Sequence, residues 1–359
     1  MVRNNFFEPV VSHEKMHSNF IGTLGPAYGN ARSLFNEWAD GFIDRDNKII
    51  KEFQTTFNST FWEVYLYAVF KDYNFQVDFS YPRPDFLVCK NNFSIVVEAT
   101  TSNAADGKTP EWEKELINSK GEICIPDRFD RLNKEAMIRL CNSINAKEKK
   151  YTSSYSKLEH TKGKPFIIAI APFEQPYFNM QYDRAILSVL YDYYVNEDAF
   201  LDNPDKYPDG PPTEHLNYVT KDNGVDIPLG FFCNKDYENI SAVIFNCSAT
   251  FGKLQALANK NNDNVYIYST WSTPPEGKPT PIIAKSSDYL EEISDGLMVF
   301  HNPFAKIPVP TDFFRKNRVV QVYSDESSYL NFENYNNCLQ SRGVQTMSLK
   351  PTKSNVVCR

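Results

Sequence analysis

The stretch that most constrains the fold is YPRPDFLVCKNNFSIVVEAT, residues 81–100. Two runs rich in β-branched and aromatic residues flank Asn91–Asn92, a pair that tolerates the left-handed backbone of a tight two-residue turn. With Lys90 placed opposite Phe93, a single antiparallel register follows: Cys89 against Ser94, Val88 against Ile95, Leu87 against Val96 and Phe86 against Val97. One step further out, Asp85 faces Glu98.

Because side chains alternate between the faces of a strand, both acids fall on the face that carries Leu87 and Val96, while Phe86, Val88, Ile95 and Val97 line the other. Both faces are largely apolar, so the hairpin belongs inside a sheet. Directly opposed residues have Cβ atoms about 4.5–5.5 Å apart, where like charges are destabilising. A shared proton, a neighbouring cation or a divalent metal would offset that repulsion, and two converging carboxylates are natural oxygen ligands for Mg²⁺.

Upstream, FWEVYLYAVF (residues 61–70) holds one acid, Glu63, among nine apolar or aromatic residues. Phe57, Phe61, Val64, Tyr65 and Ala68 recur at helical spacing, and Asp46 or Asn47 is a suitable N-cap, so the pattern predicts one long helix over residues 48–72. Glu63 lies off the main apolar stripe. It is either a solvated surface glutamate or a third carboxylate leaning toward the hairpin.

A helix carrying a glutamate, a strand, Pro-Asp leading a second strand and Glu-x-Thr ending a third together resemble the PD-(D/E)xK nuclease superfamily, over residues 48–172. The resemblance implies an α/β fold with a restriction-endonuclease-like αβββαβ core and a mixed sheet, elaborated by N-terminal and C-terminal α/β additions. It also implies Mg²⁺ or Mn²⁺ bound by Asp85, Glu98 and Glu63, and hydrolysis of phosphodiester bonds in DNA, in the setting of bacterial defence. The family's lysine, two residues after the second acid, is replaced by Thr100. A hydroxyl carries no positive charge, so the alternative is a catalytically inactive member that binds nucleic acid or a partner.

The same register sets Thr100 against Arg83, whose guanidinium would then fill the volume of the missing lysine. Lys147, Lys149 and Lys150 are other candidates. They end a helix expected over residues 128–150, on which Phe129, Leu132, Ala136, Met137, Leu140 and Ile144 give the helical period. From Arg128 to Lys164, ten Lys or Arg stand against four acids. Tyr151 and Tyr155 interleave with these lysines, so Lys147, Lys149, Lys150, Tyr151 and Lys157 read as a nucleic-acid-binding surface. PFIIAIA, residues 165–171, follows as a buried strand.

The runs 52–72 and 240–255 also resemble segments of a family of uncharacterised bacterial proteins, implying one architecture across the whole chain without an assigned activity. The expected division is an N-terminal extension (1–47), the nuclease core (48–195), a polar surface insertion (196–228) and a C-terminal α/β extension (229–359). In the last segment, strands are expected over 229–233, 240–247, 264–270, 297–301 and 318–323. A helix capped by Ser248 is expected over 248–257, and the final thirty residues are rich in Asn and Ser.

With 359 residues and 42% hydrophobic content, the chain is long enough for a large core. Its net charge of −7 disfavours a general DNA-coating role but leaves room for a locally basic groove. Seven scattered cysteines without a C-x-x-C pair read as buried, reduced thiols of a cytoplasmic protein. No apolar run approaches the roughly 18 residues of a membrane span. A homodimer or a partner subunit is compatible with this composition.

Two further motifs compete. HEKMH, residues 13–17, matches a zinc-peptidase pattern in which two histidines one helical turn apart bind the metal. Its flanks, Pro9, Ser12 and Ser18–Asn19, predict only a short segment. FNCSATFGK, residues 245–253, invites a phosphate-loop reading but lacks that loop's glycine spacing, which favours an ordinary strand-to-helix turn.

Overall fold

In the computed structural model, which describes residues 5–104, 107–122, 124–260, 262–324 and 329–347, the hairpin forms in the expected register from Phe86↔Val97 to Lys90↔Phe93. Asn91 takes the left-handed conformation at φ 54° that the turn requires.

In chain order the helices are α1 (Ser18–Thr23), α2 (Gly29–Trp38), α3 (Ile49–Thr55), α4 (Phe57–Asp72), α5 (Asp130–Ser153), α6 (Arg184–Tyr191), α7 (Glu197–Asp202) and α8 (Phe251–Ala258). The principal strands are β1 (Gln76–Asp78), β2 (Phe86–Lys90), β3 (Phe93–Thr101), β4 (Phe166–Ala171), β5 (Ala242–Phe245), β6 (Val265–Thr273), β7 (Lys278–Lys285), β8 (Met298–His301), β9 (Val320–Ser324), β10 (Leu330–Glu333) and β11 (Leu339–Thr346).

The fold is mixed α/β around a large mixed sheet of eight strands, ordered β1-β2-β3-β4-β5-β8-β9-β10. Its first half runs antiparallel through β1, β2 and β3, then parallel from β3 to β4 and β5. The run α4-β1-β2-β3-α5-β4 therefore has the element order helix, three strands, helix, strand. A smaller antiparallel sheet, β7-β6-β11, packs its own apolar cluster of Val265, Ile267, Trp271 and Leu339 with Ala256 of α8.

The two helices around β2 and β3 are held by different means. Almost all of α4 is buried, Phe70 meets Phe86 edge-on, and the Trp62 indole N–H donates to the Ala169 carbonyl at 3.0 Å. On the other face, Tyr151 of α5 stacks on Phe166 at 4.3 Å. An aromatic cluster of Phe6, Phe20, Phe35, Phe53 and Phe61 ties the N-terminal helices to α4, each such pair adding about 0.5–1.5 kcal/mol beyond area burial.

Several expectations need correction. The helix over 48–72 is two helices broken at Thr56 (φ −127°, ψ 49°), where the Thr55 and Thr56 hydroxyls donate back to the carbonyls of Lys51 and Glu52. Its leading amides, on Lys48 and Ile49, are accepted by Asp44 rather than by Asp46 or Asn47. Residues 229–233 form no strand, because Phe231 and Phe232 donate to the carbonyls of Val189 and Leu190 at the end of α6. The helix expected from Ser248 starts at Phe251 instead, since Asn246 captures the Ser248 and Ala249 amides in a turn. In the region expected to be a surface insertion, α7 and the short pairs 194–195/213–214 and 218–220/226–228 form, and Val219 and Ile227 are buried.

Candidate functional site

Glu98 sits near the carboxyl end of β3, 1% exposed, opposite Ile168 of β4. So buried a carboxylate requires partners. Lys147 and Lys150, one turn apart on α5, both place Nζ at 2.9 Å from its Oε1. The second oxygen, Oε2, is also buried, and the Tyr155 hydroxyl interacts with the same carboxylate. Lys150 also lies 4.9 Å from the Tyr155 ring centre, which adds a cation–π contact beneath the same acid.

The regular ladder ends at Phe86, and Asp85 stands just beyond it. Its Oδ2 accepts the Ala99 amide at 2.7 Å, which holds it beside the strand residue next to Glu98. Burial, and then the charge of Glu98, push the Asp85 carboxyl up to about 6; the Ala99 amide and the two lysines oppose the shift. Glu63 reaches the same region from α4. Burial, followed by the charge of Asp85, pushes it up to about 8, with Glu52 and Glu98 adding to the shift and Arg45 opposing it.

Arg83 is exposed and outside the ladder; its carbonyl contacts the His160 ring at 2.7 Å, and its charge acts on Tyr155 beside Glu98. Tyr151 is buried against Phe166, and its ring is not available for stacking on a base. Thr100 is half-buried, its hydroxyl on the Thr101 carbonyl at 3.4 Å. Lys149 and Lys157 are exposed, Lys157 donating to the Ser153 carbonyl at 2.8 Å.

Sequence reasoning missed the groups that frame this corner from afar. Arg45 donates to the carbonyls of Tyr81, at 2.5 Å, and Pro84, at 3.3 Å, and Tyr81 stacks on His160 at 3.8 Å. Nothing local in the sequence marks either contact, because each joins segments that only the folded chain brings together.

The zinc reading of residues 13–17 fails on geometry. His13–Lys15 is a three-residue 3-10 turn, and His17 caps α1, its Nδ1 accepting the Asn19 amide at 3.1 Å. The His17 ring packs on Trp112 at 4.2 Å. The two histidines thus share no α-helical face.

Among the described residues, no group of three or more His, Cys, Asp or Glu side chains is placed to hold a metal ion between them. What the corner offers is smaller: the buried Glu98 carboxylate, neutralised by Lys147 and Lys150, beside the Asp85 carboxyl, whose ionisation burial suppresses. Mg²⁺ commonly takes one or two carboxylates and keeps several waters. The six described cysteines are free thiols, and no helix among the described residues is long and apolar enough to cross a membrane.

No family model, curated protein or solved structure matches the chain.

Proposed function

We propose that the chain is a Mg²⁺- or Mn²⁺-dependent nuclease with a restriction-endonuclease-like core, acting on DNA. The observation that carries this reading is the convergence of Lys147 and Lys150 on Glu98, beside Asp85 and Glu63. The positive charge absent at Thr100 is supplied from α5 instead.

Asp85 and Glu98 would hold the ion. When bound, such an ion polarises a phosphoryl oxygen and acidifies its bound water. The chain's own side chains do the rest. The two ammonium groups, already fixed by Glu98, would stabilise negative charge developing on a phosphoryl group with little reorganisation. Glu63, held protonated near neutral pH by its surroundings, is suited to keep or pass on a proton. Lys149 and Lys157 extend the positive surface along which a polyanionic backbone would lie.

The test is to incubate the protein with plasmid, single-stranded DNA and RNA, with Mg²⁺ or Mn²⁺ against chelator. Metal-dependent cleavage is expected, reduced about 100-fold or more in Asp85→Asn and in the Lys147→Ala, Lys150→Ala pair, the size typical of removing fixed electrostatic groups. Cleavage that persists in Asp85→Asn contradicts the reading. Salt-sensitive DNA binding with no cleavage by any form replaces it with the binding-protein alternative.

A further inference from the structure

The parallel strands β3 and β4 end together, the Ser102 amide donating to the Ala171 carbonyl at 2.8 Å, and a cavity of about 330 Å³ lies beyond their carboxyl ends. In open α/β sheets ligands settle outside such strand ends, and pockets of about 300–1,000 Å³ accept small molecules, so this volume suits a compact one. Ala104 and Thr109 follow β3 into the wall, and Gln175 and Pro176 follow β4. The first half of α5 and the turn at residues 221–223 close the rest. From Arg139 on this wall to Lys147 the helix rises about 12 Å, which separates the cavity from the acidic corner.

Four cations and two acids line this space. Both acids are paired and face water: Glu135 with Arg131 at 3.3 Å, Asp222 with Lys108 at 3.9 Å. Lys134, Arg139 and Lys221 remain, each half-buried and, among the described residues, without an ion pair or a side-chain hydrogen bond. Lys221 comes near enough to α5 for its charge to act on buried Cys141. Three like charges around one small, partly desolvated space repel one another, and an anion among them removes that repulsion.

A second observation is of a different kind. Gln175, on the cavity wall and 5% exposed, is fixed by its Nε2 donating to Ser102 Oγ at 2.8 Å, while its Oε1 is buried without a hydrogen-bond partner. A buried acceptor is costly to leave unpaired, and a hydroxyl is a donor that would satisfy it. Leu132, Ile138 and Pro176 add an apolar stretch of wall.

We propose that this cavity binds a small phosphate monoester bearing hydroxyl groups, its dianionic phosphate among Lys134, Arg139 and Lys221 and a hydroxyl donating to Gln175. The planar fork of an arginine matches phosphate oxygens two at a time, and the two lysines act as point charges on the remainder. The apolar stretch receives the carbon skeleton. None of this depends on cleavage at the acidic corner.

Calorimetry and thermal unfolding of the full chain with ribose 5-phosphate, glycerol 3-phosphate and AMP test this, with inorganic phosphate and ribose as single-feature controls. At least one ester is expected to bind saturably, to raise Tm, and to bind at least about tenfold tighter than either control. The AMP arm separates a nucleotide from a free sugar phosphate, and binding of either supports the proposal. Arg139→Gln combined with Lys221→Gln should weaken the ester at least about tenfold without lowering the Tm of the unliganded chain, because neither cation has an anionic partner to lose. Gln175→Met should bring the ester down toward inorganic phosphate while leaving phosphate itself unchanged. Lys278→Gln, exposed on β7 and outside the cavity, should bind as wild type. No binding of any ester, inorganic phosphate binding as tightly as the best ester, undiminished binding in the Arg139, Lys221 double variant, or an equal loss in Lys278→Gln would each overturn the proposal.

Discussion

At the scale of single residues, the acidic corner is bought with stability. Asp85 and Glu63 carry carboxyls whose folded-state values, about 6 and about 8, exceed the ordinary 3.8 and 4.5. An acid raised in this way leaves the folded chain holding more protons than the unfolded chain between the two values. Its contribution is therefore full below the unfolded value and is lost as pH rises through the folded one. Without metal, stability should fall from about pH 4 to about pH 8, and Glu63→Gln should flatten that decline. At about pH 8 the variant should be more stable by on the order of 1–3 kcal/mol, since one pKa unit corresponds to about 1.4 kcal/mol. Urea unfolding in chelator reads this directly; a variant less stable than wild type at that pH would show that Glu63 is held by a partner it needs as an anion. The alternation of two apolar runs around Asn91–Asn92 was enough to place Asp85 beside Glu98. The company of Glu63 was not legible, because it depends on how α4 packs across the sheet.

At the scale of elements, α5 does most to position the chemistry, since it carries both lysines that reach Glu98. Its start is anchored from a distance: the amides of Phe129 and Asp130 donate to the Asp198 carboxylate of α7 at 2.9–3.0 Å. Asp198→Ala should destabilise the protein by about 1–2 kcal/mol, the usual range for a lost helix cap. Chemical denaturation would show it, and an unchanged midpoint would mean that α5 needs no such anchor. Hydrophobic period revealed α5 and β4 to within three residues at each end, because both bury a clear apolar face. The strands β7, β10 and β11 were not legible. KPTPIIAK in β7 is largely exposed, and LQSRGVQT in β11 alternates too few apolar residues to signal a strand; both are held by pairing with β6. The break at Thr56 was hidden for the opposite reason, as the apolar period continues across it while two hydroxyls bend the backbone.

At the scale of the whole molecule, one sheet runs through segments that sequence reading had kept apart. Strands β5, β8, β9 and β10 extend the sheet that begins with β1 to β4, and the seam is bonded twice between Phe166 and Ser241, at 2.7 and 3.0 Å. Tyr65 of α4 and Tyr73 just after it donate to the carbonyls of Ile293 and Phe314, at 3.0 and 2.8 Å. The acidic corner is thus tied to both halves of the sheet, and the cation binding proposed for it should register in global unfolding. A ligand that binds only the folded state stabilises it by mass action. Thermal unfolding at constant ionic strength, with and without millimolar Mg²⁺, is the most direct measurement. The account predicts a Tm increase for wild type that disappears in Asp85→Asn and in Glu98→Gln; an equal increase in all three, or none in wild type, would contradict it.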